Sequence, residues 1–107
     1  MNSWFFLMLA IVLEVAGTTS MKFSDGFTRV LPSVLIFVFY AASFSALVWA
    51  LKELELGLSY AVWAGSGTAI IAVIGIVYFH EAVSMLKLIS LGFIIFGVIG
   101  LHLSGGH

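Results

Sequence analysis

The stretch that decides the fold is Ser3–Met21, which reads SWFFLMLAIVLEVAGTTSM. It is long and apolar enough to cross a hydrocarbon core of about 30 Å, which takes about 20 apolar residues in a helix. Its one formally charged residue is Glu14, close to its middle. A charged side chain there costs roughly 2.5–3.5 kcal/mol on insertion scales, so an acid inside a span indicates a functional site for cations or protons.

The rest of the chain repeats the apolar pattern without the acid. Hydrophobic residues make up 63% of the 107 residues and charged residues only 8%, whereas soluble domains carry about 25% charged residues. Short polar gaps divide the chain into four apolar stretches, at about 3–21, 31–51, 56–79 and 88–104. We therefore predict an all-α membrane protein, in which residues 1–107 form a single domain of four transmembrane helices.

Several functional classes are disfavoured by composition. A formal net charge of −1 gives no reason to expect binding to nucleic acid, and the absence of cysteine rules out disulfides and cysteine metal sites. His80, His102 and His107 have no other ligands at metal-binding spacing, so we expect no metal and no cofactor. The first apolar stretch lacks a basic leader and contains an acid, so we expect it to be retained rather than cleaved as a signal.

Small and hydroxylated residues share the helical face of Glu14. Ala10, Gly17 and Thr18 lie three or four residues from the acid, which leaves space beside the carboxyl group. A Glu facing lipid is untenable, so the acid must face another helix or a second subunit. The alternative to a cation site is a protonated Glu that makes a hydrogen bond between helices.

Aromatic residues form a second pattern. Tyr60 and Trp63 share one face of the third stretch, and Tyr40, Ser43 and Phe44 lie along the second. Aromatic faces attract cations, so an acid together with aromatic rings suits a bulky or quaternary cation. The alternative is an interfacial belt of aromatic residues, which is common at the ends of membrane helices.

Two sets of small residues point to helix packing or bending. Gly65 and Gly67 form a candidate bend for alternating access, although close helix packing explains their spacing equally well. Ser90 and Gly97 are seven residues apart on the fourth stretch and predict a helix-pairing face, in a dimer or within the same subunit.

Lys and Arg residues are almost balanced across the predicted membrane. Lys52 lies on the side of the N-terminus, whereas Lys22, Arg29 and Lys87 lie on the other side. Since these charges set orientation, the chain barely specifies one, and insertion in both orientations and insertion in one are both open.

The sequence resembles the small multidrug resistance transporters. The resemblance rests on Ala10–Thr19 around the acid, Met21–Arg29 with Pro32–Ser33, and Ser59–Gly67, and it covers essentially the whole chain. It implies a proton-coupled antiporter of the bacterial plasma membrane rather than an enzyme, working as an antiparallel dimer of dual topology. It also implies that lipophilic and quaternary ammonium cations are exported in exchange for protons at Glu14.

The resemblance assigns roles to the residues already singled out. Glu14 would bind protons and substrate, while Gly65 and Gly67 would form the kink. Ser90 and Gly97 would pack the dimer, although the family usually has glycine where this chain has Ser90. The substrate-lining positions would be Tyr60, Trp63, Tyr40, Ser43, Phe44, Ala10, Gly17 and Thr18.

Subtype within the family rests on the residues that follow the acid. Guanidinium-exporting members usually carry a Trp there, whereas this chain has Ala16-Gly17-Thr18, as in the multidrug branch. Export of guanidinium or of polyamines, the latter by paired non-identical subunits, is the alternative within the family. A structural subunit of a larger membrane complex is the alternative outside transport.

Overall fold

A computed structural model describes residues 3–104, which form four α-helices joined by short links. The helices are α1 (Ser3–Phe23), α2 (Val30–Ala50), α3 (Leu56–Val77) and α4 (Met85–Ser104). Each is long and apolar enough to span a membrane. The predicted all-α membrane fold with four spanning helices is confirmed.

The helix ends differ from the predicted bounds by up to three residues. The fourth helix begins at Met85 rather than about Leu88, because the Ser84 hydroxyl accepts a hydrogen bond from the Lys87 backbone N–H at 3.1 Å. This is N-terminal capping. The third helix ends at Val77 rather than about Phe79, and His80 follows in the left-handed conformation with φ 58°.

The link between α1 and α2 contains a tight turn. Asp25, Gly26 and Phe27 all have positive φ angles, of 49°, 69° and 67°. Ser24 is buried, and its carbonyl accepts hydrogen bonds from the backbone N–H groups of Thr28 and Arg29. The turn therefore satisfies its own backbone groups, which suits a link at the edge of a membrane.

The chain divides into two compact units between Glu55 and Leu56. In the first unit, α1 and α2 pack through small residues, and the fully buried residues include Ala10, Ser43 and Ala50. The Ser43 hydroxyl donates a hydrogen bond to the Ala10 carbonyl at 2.7 Å. Small side chains bring the two backbones close enough for this bond between the helices.

In the second unit, α3 and α4 meet at Gly65. A Cβ atom at Gly65 would lie 2.7 Å from Val98 Cγ2, so the glycine permits close packing of the two helices. No residue of α4 is buried. Large apolar side chains such as Phe93 and Phe96 are more than 70% exposed, which suits contact with lipid or with another protein rather than with water.

Candidate functional site

The acid lies in the middle of α1 and is half-buried. The hydroxyl of Thr18, one turn further on, donates a hydrogen bond to Glu14 Oε2 at 2.6 Å. The same hydroxyl lies 2.6 Å from the Tyr40 hydroxyl on α2. A hydrogen-bonded chain therefore runs from Glu14 through Thr18 to Tyr40, across the contact between the two helices.

Gly17 allows this chain to form. A Cβ atom at Gly17 would lie 2.9 Å from Cδ1 and Cε1 of the Tyr40 ring and 3.3 Å from Phe39 Cβ. Any larger residue would push the ring away and move its hydroxyl from Thr18. Gly17, predicted as a small residue beside the acid, thus makes room for the Tyr40 ring to pack against α1.

The chain of hydroxyls reaches one atom further. The Tyr40 hydroxyl donates to Met21 Sδ at 3.7 Å, a weak hydrogen bond to a thioether. Tyr40 has one hydroxyl hydrogen, which points either to Thr18 or to Met21. If the Tyr40 hydrogen points to Thr18, Tyr40 is the donor in their hydrogen bond. If it points to Met21, Thr18 must be the donor.

Ala10 and Ser43 lie deeper in the contact between α1 and α2. Both are completely buried, and the Ser43 hydroxyl hydrogen is used by the Ala10 carbonyl. Their geometry is that of helix packing, and a contact with substrate stays a prediction. Phe44, by contrast, is half-exposed and stacks on Tyr40 with ring centroids 6.0 Å apart.

The aromatic pair of α3 is formed as the spacing predicts. The rings of Tyr60 and Trp63 have centroids 5.5 Å apart and an angle of 58° between their planes. Tyr60 is 59% exposed and Trp63 is half-buried, so the pair presents ring surface outward. The pair belongs to the second unit, and its role in binding stays a prediction.

The two glycines proposed as a hinge lie within an unbroken helix. Residues Ala64–Gly67 are helical throughout, Gly65 packs against α4, and Gly67 is buried. The packing contact of Gly65 accounts for a glycine at this position, and bending stays a prediction. On α4, Ser90 and Gly97 are exposed, and a Cβ atom at Gly97 would meet no atom of the described residues within 4 Å.

No group of three or more His, Cys, Asp or Glu residues that could hold a metal ion occurs within residues 3–104. His80 and His102 are exposed there, and His107 lies outside the described residues. The contact of Glu53 with Ser3, whose hydroxyl donates a hydrogen bond to Glu53 Oε1 at 2.8 Å, was not predicted from the sequence. The sequence signal was the pair Lys52 and Glu53, which directly follows the second apolar stretch at about 31–51.

Comparison with known proteins identifies the family. The family model described as "Small Multidrug Resistance protein" matches residues 2–94. An uncharacterized membrane protein of Bacillus subtilis, YvaE, is 50% identical over 101 residues, which cover 94% of this chain and 85% of that protein. A protein named guanidinium exporter from Yersinia pseudotuberculosis is 42% identical over 102 residues, which cover 95% of this chain and 98% of that protein.

A second protein named guanidinium exporter, from Citrobacter freundii, is 41% identical over 102 residues and covers 95% of this chain and 97% of its own length. Together with the four spans, these similarities confirm a multi-pass protein of the bacterial plasma membrane. The match extends along most of the chain and includes both the acid and the aromatic pair. The chain belongs to the small multidrug resistance family of membrane transporters.

Proposed function

We propose that this protein exports small organic cations across the bacterial plasma membrane in exchange for protons, with guanidinium as the leading substrate. The observation that carries the proposal is the hydrogen-bonded chain Glu14–Thr18–Tyr40 at the middle of a span. The names of two relatives that are 41–42% identical support guanidinium in particular.

Exchange follows from competition for one carboxyl group. A cation binds to the ionised carboxylate, and a proton removes the charge that holds the cation. Desolvation within a membrane disfavours an unpaired carboxylate, so Glu14 is stable there either protonated or paired with a cation. One site that accepts either ligand, but not both, couples the two movements in opposite directions once binding biases inward-open and outward-open states.

The hydroxyl chain can adapt to both states of the acid. With Glu14 ionised, Thr18 donates to the carboxylate and Tyr40 donates to Thr18. With Glu14 protonated, the acid can donate to Thr18, Thr18 to Tyr40, and Tyr40 to Met21 Sδ. The hydrogen bonds reverse without movement of any heavy atom, so neither state leaves a hydroxyl hydrogen unused.

Guanidinium suits the polar part of this site. It is a planar cation with N–H donors, and carboxylates accept such donors in a paired geometry. Thr18 donates to Oε2 of Glu14, and the carboxylate has further acceptor sites for a guanidinium group.

Quaternary and aromatic cations are the second candidate substrates, and a different observation favours them. Such cations lack N–H donors and bind through ring faces, which the Tyr60–Trp63 and Tyr40–Phe44 pairs supply. Gly17 follows the acid at the position where a larger residue would displace the Tyr40 ring. This is the feature that sets the chain apart from the pattern expected for guanidinium exporters.

Transport by purified protein in liposomes tests both candidates. A proton gradient is imposed, and radiolabelled guanidinium and a tetraarylphosphonium are followed separately, together with proton release from the protein in detergent. Gradient-driven movement of guanidinium, absent in Glu14→Gln, supports the leading proposal, and movement of only the phosphonium supports the second. Movement of neither cation, by protein shown to be folded, would favour the structural-subunit alternative.

An antiparallel homodimer is part of the proposal. It is supported by the absence of any buried residue on α4 and by the balanced Lys and Arg residues. Two or three lysines added between Lys52 and Glu55 should fix one orientation, because charges in short loops set topology. Transport should then fail, and recover when a copy biased the opposite way is co-expressed. Full activity with every C-terminus on one side would contradict the antiparallel dimer and favour a parallel arrangement.

A further inference from the structure

A pocket of about 310 Å³ lies where α1 begins and α2 ends, away from the acid. Five residues of the first unit line it: Ser3, Phe6, Trp49, Lys52 and Glu53. Since α1 and α2 both span the membrane, the pocket lies at the level where hydrocarbon meets headgroups. None of these five residues belongs to the hydrogen-bonded chain of Glu14.

The polar end of the pocket is held by contacts between residues far apart in sequence. The Ser3 hydroxyl donates a hydrogen bond to Glu53 Oε1 at 2.8 Å. The Lys52 ammonium group lies 4.5 Å from the centre of the Trp49 ring, a cation–π contact. Lys52 and Glu53 are exposed, but these two contacts hold both side chains at the rim of the pocket.

The other end of the pocket is aromatic. The rings of Phe6 and Trp49 stack with centroids 6.0 Å apart and an angle of 26° between their planes. Phe6 lies one helical turn inside α1 from Ser3, so this wall extends from the rim toward the hydrocarbon region. The pocket thus has a charged rim and an apolar wall, as expected for a site that holds the head and the first carbons of a lipid.

The charges at the rim select the kind of head. Lys52 offers three N–H donors and Glu53 offers acceptors beyond the one used by Ser3. A purely anionic head would meet the carboxylate, and a purely cationic molecule would meet the ammonium group. A head that carries one charge of each sign, with N–H donors on its cationic end, matches both side chains.

We propose that this pocket binds the phosphoethanolamine head of a membrane phospholipid. Its phosphate pairs with Lys52, its ammonium group pairs with Glu53, and its first acyl carbons lie along Phe6 and Trp49. The site differs from the cation-exchange site in ligand and in location. A lipid bound here would brace the ends of α1 and α2 against each other, beside the Ser3–Glu53 hydrogen bond.

Lipid retention by the full-length protein in detergent tests the proposal. Phosphatidylethanolamine, phosphatidylglycerol and phosphatidylcholine with identical acyl chains are titrated, and bound lipid is counted by native mass spectrometry. The expected preference for phosphatidylethanolamine over each of the others is about tenfold, the effect of one charge-assisted hydrogen bond. Phosphatidylcholine is the informative comparison, because its head has the same charges but no N–H donor.

Charge-removing variants locate the binding. Lys52→Gln and Glu53→Gln should each weaken phosphatidylethanolamine binding by about three- to tenfold, and Glu53→Gln should remove the preference over phosphatidylglycerol. Lys87→Gln, in the first turn of α4, and Glu81→Gln, in the link between α3 and α4, are matched controls and should bind lipid like the unchanged protein. Helical content measured by circular dichroism shows which variants are folded. If Lys52→Gln does not fold, Lys52→Arg replaces it in the test, and this variant should bind phosphatidylethanolamine like the unchanged protein.

Three outcomes would overturn the proposal. The first is equal retention of the three lipids, and the second is unchanged retention in folded Lys52→Gln and Glu53→Gln proteins. The third is displacement of the lipid by an equal concentration of soluble phosphoethanolamine, which would assign the pocket to a soluble ligand. Cation transport enters none of these measurements, so failure here and failure of the exporter proposal are distinguishable.

Discussion

The two helical pairs of this protein are built on different principles. The α1–α2 unit is held by polar contacts at three levels: Ser3 with Glu53 in the link just after α2, Ser43 with Ala10, and Thr18 with Tyr40 near the acid. The α3–α4 pair meets through apolar contacts at Gly65, Val98 and Ile94, and no residue of α4 is buried.

This difference separates the chemistry from the assembly. Hydrogen bonds in an apolar environment fix groups in place, so the first pair holds the acid and its hydroxyl partners in a defined arrangement. Much of the apolar surface of the second pair is exposed among the described residues 3–104, which suits contact with lipid or a second copy. We therefore expect substitutions in the first pair to alter proton and cation exchange, and substitutions on α4 to alter assembly.

The largest expected effect comes from removing the carboxyl group of Glu14 in α1. Glu14→Gln should abolish both cation binding and cation-driven proton release, because the neutral amide can neither hold a cation electrostatically nor accept a proton. Isothermal titration with a transported cation, repeated at several pH values, measures both. Glu14→Asp is the matched control and should keep pH-dependent binding, and pH-dependent binding by Glu14→Gln would show that the two ligands do not share this carboxyl group.

The next effect concerns the aromatic pair of α3. Trp63→Ala and Tyr60→Ala should weaken the binding of aromatic and quaternary cations by about 30-fold, since a desolvated cation–π contact contributes about 2 kcal/mol. Proton binding, followed by NMR titration of the acid, should change little, because a proton needs only the carboxyl group. Equal losses for cation and proton in folded protein would indicate an interfacial belt instead.

A pair of glycine substitutions compares the two helical contacts directly. Gly17→Ala should destabilise the protein in detergent by roughly 1–3 kcal/mol, the cost of overpacking, offset by up to about 1 kcal/mol of helix propensity. Gly97→Ala should leave each chain intact and weaken dimerisation, because its new Cβ would meet no atom of residues 3–104 within 4 Å. Thermal unfolding and cross-linking measure the two effects.

Gly92→Ala is the control for the α4 substitution, since its Cβ also meets nothing and it lies on the opposite face from Ser90. It should change neither stability nor dimerisation by more than a few tenths of a kcal/mol beyond helix propensity. Weakened dimerisation in Gly92→Ala but not in Gly97→Ala would move the pairing face to the other side of α4.

The smallest expected effect concerns the hydroxyl chain. Tyr40→Phe removes the hydroxyl that bonds Thr18 and, weakly, Met21, while leaving the ring against Gly17. It should slow proton-coupled exchange by about threefold, as hydrogen bonds between membrane helices contribute about 0.6 kcal/mol. Thr18→Val breaks both bonds of the chain and should cost more. Stopped-flow measurement of exchange in the double variant should match Thr18→Val alone, and additive losses would show that the hydroxyls act independently.

Several features of the protein could be predicted from the sequence. Four apolar stretches of this length must each form an α-helix in a membrane, because every backbone polar group there needs a hydrogen-bond partner within its own segment. The placement of Glu14 within a span and the pairing of Tyr60 with Trp63 follow from helical spacing, which is local. The helix ends were predicted less well, because capping by Ser84 and the left-handed turn at His80 depend on individual side chains and φ angles.

Only the tertiary structure decided which residues act on one another. Sequence spacing assigned Ala10, Gly17 and Thr18 to the face of the acid, but it could not show that Gly17 seats the Tyr40 ring or that Ser43 is bonded to Ala10. It also could not bring Ser3 to Glu53, fifty residues away. These contacts depend on the rotation and depth of α1 against α2, which are set by the close packing of small side chains, whereas helix spans depend only on local hydrophobicity.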